Sequence, residues 1–287
     1  MHPQAAAMKA LFDQPGLQIM PGCGDGMGAR LIEEAGFATG FASGSSICAI
    51  RLAMPDMDLV TFPEMADAIE SIIAAAPKVL WLADGDTGYG NALAVQKTIR
   101  AYARRGAAAV LIEDKVWPRP LGHNGAKLVI DREAAVLRCR AAVEACREEG
   151  ILLLARTDAR TSRGFDEALT RLKAFVAEGA DILFLDSPQS EAETRAAVAA
   201  CNGKPSLAVS SPAGKHFMPG NAELERIGIK IVVYPQEILA ATVHAVRAAL
   251  GGLKGGVKPP MASPSELATA IRSADYLARD ARWPDPR

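Results

Sequence analysis

The sequence predicts an α/β protein, a (β/α)8 TIM barrel, and three observations carry the prediction. Eight short, nearly continuous apolar runs alternate with amphipathic helical stretches along the chain. The 287 residues suit a single barrel, which needs roughly 250. No shift in composition divides the chain before a glycine-rich stretch near residue 251.

The expected strands, in order, are Leu17–Met20, Ala38–Ser43, Val79–Ala83, Ala109–Ile112, Ile151–Ala155, Ile182–Leu185, Ser206–Val209 and Ile229–Val233. Each is short and apolar almost throughout, as strands covered on both faces are. Helical patterns fall at Met27–Ala35, Pro63–Ala75, Ala92–Arg105, Arg132–Glu149, Glu191–Ala200 and Glu237–Ala249. The clearest helix places Phe165, Ala168, Leu169, Leu172, Phe175 and Val176 on one face and stops at Gly179. An open doubly wound sheet is the alternative. It usually carries a G-x-G-x-x-G loop after its first strand, and Pro21-Gly22-Cys23-Gly24-Asp25-Gly26 lacks that spacing. The whole chain, 1–287, therefore reads as one barrel domain. A linker is expected over 251–262, where Gly251-Gly252 and Gly255-Gly256 precede Pro259-Pro260, and a further helical segment over 263–283. Ser263 or Ser265 would cap that segment, with Pro264 in its first turn. A helix beyond the eighth repeat has no slot in its own ring and is expected to pack elsewhere, on a neighbouring subunit.

Composition excludes several function classes. The 32 Lys and Arg against 33 Asp and Glu leave a net charge of −1, so nothing draws the protein to nucleic acid or to an anionic membrane. No apolar run reaches the ~18 residues of a membrane span. The first residues show no basic region followed by an apolar stretch, so no secretory signal is expected. Five scattered cysteines without a C-x-x-C pair argue against a disulfide framework and fit a reducing, cytoplasmic setting.

Chemistry in such a barrel sits where strands end and loops begin. The third strand exits into Asp84-Gly85-Asp86-Thr87-Gly88-Tyr89-Gly90-Asn91, the fourth into Glu113-Asp114-Lys115, the fifth into Arg156-Thr157-Asp158 and the sixth into Asp186-Ser187-Pro188. Asp84 and Asp86, two apart at a strand end, with Glu113, make a hard-cation site of few ligands. That suits magnesium, or manganese, with substrate oxygens completing the shell. Arg156 would grip a substrate carboxylate through its planar fork. Ordinary rim salt bridges are the alternative. The Gly/Pro-punctuated loop 117–127 carries Arg119, His123 and Lys127, which suits either a closing lid over an anion or a solvated loop. Lys215 and His216 leave the same choice, with the structural role favoured.

Taken together, Ser43-Gly44-Ser45 ahead of Met54-Pro55-Asp56, the Asp84–Asn91 string, Ile112-Glu113-Asp114-Lys115, Gly122-His123 and Ala155-Arg156-Thr157-Asp158-Ala159 resemble the isocitrate lyase / phosphoenolpyruvate mutase superfamily from about Phe12 to Leu250. The resemblance implies a barrel whose eighth helix is swapped between paired subunits, within a homotetramer built as a dimer of helix-swapped dimers. It also implies a magnesium site at Asp84 and Asp86 with Glu113 in its inner or outer sphere. Ser43, Gly44, Ser45 and Arg156 would bind the carboxylate of a small substrate. The catalytic set would be Arg156, His123, Glu113 and Asp186, handling an enolate beside the metal. The departures matter for substrate. Leu121 stands where lyases of this kind carry a proton-donating Cys, and Asp186 where a longer Glu is usual. Val209 or Ser210 replaces an Asn after the seventh strand, and His216-Phe217 a Thr-Pro. Three activities are therefore expected to compete. Decarboxylation of an oxaloacetate-like acid is preferred, since water can protonate the enolate it leaves. The others are a retro-aldol lyase of the methylisocitrate or dimethylmalate type, and a phosphonomutase or phosphonopyruvate hydrolase.

Overall fold

A computed structural model describes residues 1–120, 127–210 and 216–283. In order, the elements are α1 (Pro3–Asp13), β1 (Gln18–Cys23), α2 (Gly26–Glu34), β2 (Thr39–Ala42), α3 (Gly44–Leu52), α4 (Phe62–Ala75), β3 (Leu80–Asp84), α5 (Ala92–Arg104), β4 (Ala109–Glu113) and α6 (Arg132–Glu149). There follow β5 (Leu152–Thr157), α7 (Ala159–Arg163), α8 (Phe165–Glu178), β6 (Ile182–Leu185), α9 (Glu191–Ala200), β7 (Leu207–Val209), α10 (Asn221–Ile227) and β8 (Ile231–Tyr234). The chain ends on α11 (Glu237–Lys254), α12 (Pro264–Ala270) and α13 (Ser273–Asp280).

All eight expected strands form, and every ladder is parallel. Their order, β6-β5-β4-β3-β2-β1-β8-β7, curls into a nearly closed barrel. The two ends of the sheet meet at one bridge, Leu183 with Ser206, where the Leu183 N–H donates to the Pro205 carbonyl at 3.0 Å. The doubly wound alternative is thereby excluded.

Strand alternation sets the interior. Met20, Phe41, Leu82, Leu111, Leu154, Phe184, Leu207 and Val233 point inward and pack together. Helix α1, unforeseen from the sequence, plugs one end of this layer with Ala5, Met8 and Phe12. Outward-facing residues such as Trp81, Leu153 and Leu183 join the helices in a second, larger core. Two residues further along each strand lies the next inward position, at the C-terminal rim.

The C-terminal region differs from expectation in two ways. Helix α11 runs through Gly251-Gly252 to Lys254, so the extended stretch begins at Gly255 rather than 251. Glycine costs only about 1 kcal/mol per helical position, and a last turn absorbs that. The terminal helix is two helices, broken where Arg272 takes a left-handed conformation (φ 53°). Ser263 does cap α12, its hydroxyl accepting from the Glu266 N–H at 3.2 Å in a reciprocal box with the Glu266 carboxylate. Arg272 pairs with Glu33 of α2 in the same chain. Helix α11 is barely attached. Ile238 touches the core, yet every residue from 240 to 248 is exposed, Val246 by 50%.

Candidate active site

The rim layer follows from that alternation. From β2 to β6 its inward positions are Ser43, Asp84, Glu113, Arg156 and Asp186, and from β7, β8 and β1 they are Val209, Pro235 and Gly22. One arc of the barrel mouth is thus polar, and the other has no polar side chain at its three inward rim positions. Together with Asp56, residues of this layer and the one beneath it line a small cavity that opens to solvent.

The polar arc is built by local chemistry. Ser43 ends the turn after β2 and caps α3, accepting from the Ser46 N–H at 3.4 Å, and its hydroxyl lies 3.1 Å from that of Ser45. Gly44 opens the helix and donates its N–H to Asp84 Oδ2 at 3.1 Å. A Cβ there would stand 2.9 Å from that same oxygen, so only glycine admits the contact. The start of α3, with its positive dipole end, therefore borders the cavity beside Asp84.

Asp84 closes β3, but Asp86 does not continue it. The chain turns there, with Asp86 at φ 48° and Tyr89 at φ 59°. The two carboxylates are therefore not brought together by strand alternation, as the spacing suggested. The turn does so instead, with the Asp86 N–H donating to Asp84 Oδ1 at 3.2 Å and its carbonyl accepting from the Glu113 N–H at 2.8 Å. Tyr89 donates to Asp86 Oδ2 at 2.6 Å. Left-handed backbone at a non-glycine residue costs of order 1–3 kcal/mol and persists where the surroundings impose it.

Glu113 is turned toward cations, with Lys115 Nζ 2.7 Å from Oε1 and Arg156 Nη1 3.3 Å from Oε2. Among the described residues no three His, Cys, Asp or Glu side chains converge as a metal-holding group. Glu113 is paired with Lys115 and Arg156, while its charge still bears on Asp84 and Asp86. Arg156 is fixed along one edge by Asp158, through Nε at 2.8 Å and Nη2 at 2.7 Å, and reaches Asp186 at 3.3 Å. Asp186 is also held by Lys127 at 2.6 Å and by the Ser187 hydroxyl at 2.5 Å, and Lys127 continues to Asp158 at 3.0 Å. Beneath Asp158, the buried Asp114 accepts from Thr157, from the Asp158 N–H and from Arg171.

Charge counting makes the arrangement directional. Five carboxylates at the strand exits (Asp84, Asp86, Glu113, Asp158, Asp186) face three cations (Lys115, Lys127, Arg156), which leaves two negative charges unanswered there, and Asp56 on the cavity wall adds a further negative charge. The deficit falls on Asp84 and Asp86. Burial and the Glu113 charge push Asp84 up to about 6, against the pull of Arg156. Burial, Asp84 and Glu113 push Asp86 well above the carboxylate range. Asp158 goes the other way, since Arg156 and Lys127 overcome its burial and hold it well below that range. An oxygen-donor pair short of two positive charges fits a hard divalent cation, which takes one or two carboxylates and keeps its remaining positions for water and substrate.

The structure thus gathers Ser43, Gly44, Ser45, Asp84, Asp86, Glu113, Arg156 and Asp186 at one rim. His123 and Leu121 lie outside the described residues, as does Lys215. His216 is brought near but is engaged elsewhere, its Nε2 donating to the Val209 carbonyl at 2.9 Å. Lys127, read only as a loop cation, proves central. Asp158 and Lys115 stood in the sequence motifs without a role.

Comparison with known proteins gives four findings. The family model of phosphoenolpyruvate phosphomutase matches residues 8–254. The chain is 36% identical to 2,3-dimethylmalate lyase of Eubacterium barkeri, over 84% of this chain and 83% of that protein. It is 38% identical to oxaloacetate decarboxylase of Paraburkholderia xenovorans, over 65% of this chain and 62% of that protein. The structure of an oxaloacetate acetylhydrolase bound to the inhibitor 3,3-difluorooxalacetate matches with a TM-score of 0.91 at 32% identity, covering 97% of this chain and 96% of that one.

Proposed function

Because the chain belongs to the phosphoenolpyruvate phosphomutase family, within the isocitrate lyase / PEP mutase superfamily of lyases, we propose that it is a magnesium-dependent lyase of a small 2-oxo or 2-hydroxy carboxylate, with decarboxylation of an oxaloacetate-like acid preferred. The observation that carries this is the two-charge deficit at Asp84 and Asp86, set between the start of α3 and Arg156. Asp84 and Asp86 would hold the cation (Mg2+, or Mn2+), with the Glu113 charge behind them. When bound, such a cation supplies Lewis-acid stabilisation of negative charge developing on the substrate oxygen.

The protein's own groups supply binding and orientation. The Ser45 N–H at the start of α3, with the Ser43 and Ser45 hydroxyls, would receive one substrate carboxylate. Arg156 lines the same cavity, with its Nε/Nη2 edge tied down by Asp158 and Nη1 3.3 Å from Glu113, and would meet the anion by sharing Nη1 between Glu113 and the substrate. Asp186 and His123 are the remaining candidate proton carriers. Two described thiols near the rim are poor acids. Burial pushes Cys23 up to about 12. Cys48 is raised by burial and by Asp56, and its S–H already faces the Met54 and Pro55 carbonyls. Decarboxylation needs no such acid, because solvent can protonate the product enolate. The retro-aldol reading draws its support from the 2,3-dimethylmalate lyase likeness.

Helix α11, exposed over 240–248, supports exchange of C-terminal helices between subunits and a homotetramer of such dimers. Among the described residues no helix is long and apolar enough to cross a membrane, and five free buried cysteines support a cytoplasmic setting. The deciding experiment assays oxaloacetate, 2,3-dimethylmalate, 2-methylisocitrate and phosphonopyruvate with magnesium and with chelator. Turnover of the first should exceed the others and vanish with chelator. Asp86→Ala should lower it by roughly a hundredfold or more. Unchanged turnover of Asp86→Ala in magnesium would sink the proposal.

A further inference from the structure

We infer that Arg138 on α6 is a positioning residue of the active site, because by holding the Glu113 and Lys115 carbonyls it fixes the strip of chain that delivers Lys127 to Asp158 and Asp186. The inference rests on the carboxylate reading of the rim, in which Lys127 and Arg156 share the acids that set the anion site. Arg138 touches no substrate in this reading and acts through Lys127.

The residue stands out first by its place on the helix. Ala135, Cys139 and Ala142 lie on the buried face of α6, and Arg138 falls at the edge of that stripe, where packing alone would ask for a small or apolar side chain. It is half-buried, and burial holds it below the ordinary arginine value against the Asp114 and Glu113 charges. A cation so placed costs free energy unless its donors are used. They are used on backbone. Nη1 donates to the Glu113 carbonyl at 2.9 Å and to the Lys115 carbonyl at 3.0 Å.

What those carbonyls belong to decides the role. Up to Glu113 the chain is held by the ladder of β4 with β5, where Glu113 lies opposite Arg156. Beyond it, Lys115 pairs antiparallel with Val129. The Val116 N–H donates to the Leu128 carbonyl at 2.9 Å, and the Ile130 N–H to the Asp114 carbonyl at 3.0 Å. Both bonds come from flanking residues, so Lys115 and Val129 form a non-hydrogen-bonded pair and the Lys115 carbonyl points out of the ladder. Arg138 is the donor that meets it. This narrow neck ends at Leu128. Lys127 is the next residue, reaching Asp158 at 3.0 Å and Asp186 at 2.6 Å. A lone two-stranded pairing of this length is marginal by itself, so without Arg138 the neck can shift and carry the ammonium with it.

A double-mutant cycle in magnesium tests the route, using whichever of oxaloacetate, 2,3-dimethylmalate, 2-methylisocitrate and phosphonopyruvate the wild type turns over fastest. Arg138→Met keeps the stem and removes the donors. It should raise KM roughly five- to tenfold and leave kcat within about twofold. In the Lys127→Ala background the same change should add less than about twofold to KM, because the group it positions is already gone. A role confined to packing or stability would give the same factor in both backgrounds. Should Arg138→Met not fold, Arg138→Gln, shorter and uncharged, goes through the same cycle and is read alike. An unchanged KM, a fall in kcat alone, or effects that multiply across the two backgrounds overturn the positioning role while the carboxylate site stands. Wild-type protein that turns over none of the four acids overturns the lyase reading and this inference with it.

Discussion

Replacing Arg171 by Met should expose how much the active-site floor depends on one buried ion pair. Arg171 on α8 and Asp114 at the exit of β4 are 2% and 1% exposed, with Nη1 3.0 Å from Oδ2. Burial and the nearby Asp158 already push Asp114 up to about 6 with Arg171 in place. Methionine matches the arginine stem but not its charge, so Asp114 would be left buried and unpaired, at a cost of about 3–5 kcal/mol. In a chain of this size that lowers Tm by on the order of 6–10 °C. The pH dependence has a definite sign. The folded-state value of Asp114 lies above the unfolded 3.8, so the native state holds that proton more tightly. Its stabilising effect is fullest below 3.8 and is lost as pH rises through the folded value. Loss of Arg171 moves that value higher still. The penalty of Arg171→Met should therefore be greatest near pH 8 and shrink toward pH 5. Urea unfolding at both pH values measures it, and adding Asp114→Asn should flatten the trend. A loss below about 1 kcal/mol at pH 8, or one that grows as pH falls, would refute the reasoning.

Two further predictions follow from the geometry. Lys127→Ala should raise KM for the carboxylate substrate roughly five- to tenfold, with a smaller change in kcat. Asp186 and Asp158 would then draw on Arg156 alone, and Lys127→Arg should restore most of the loss; steady-state kinetics of the two variants decide it. Deleting the residues after Gly255 should reduce the oligomer measured by light scattering, and an intact protein that runs as a monomer would dispose of the helix-exchange proposal.

The barrel was legible because its strands are buried on both faces. An apolar run such as Ala109–Ile112 shows itself without any partner. The helices that escaped notice lack that signature. Helix α3, Gly44–Leu52, is made largely of small residues with little amphipathic contrast, and α1 plugs the barrel from a chain end where no repeat calls for a helix. The polar arc was half legible. Asp84, Glu113, Arg156 and Asp186 announce themselves at strand exits, yet what each one touches is set by partners far along the chain. Lys127 and Asp186 are 59 positions apart, and Arg171 and Asp114 are 57. No local spacing encodes such pairs.

The same distinction explains how Asp86 comes to lie beside Asp84. Alternation along a strand would have aimed Asp84 and Asp86 alike, but the chain leaves β3 at Asp84 and turns into a left-handed residue. What returns Asp86 to its neighbour is the next strand, because the Glu113 N–H takes the Asp86 carbonyl and fixes the turn. The cation-seeking pair is therefore a property of two adjacent strand exits. Its charge deficit persists because the three nearby cations are committed to Glu113, Asp158 and Asp186. Any change that frees one of those cations, Lys127 above all, should lessen the deficit at Asp84 and Asp86 and so weaken magnesium binding, even though no metal-holding side chain has been altered.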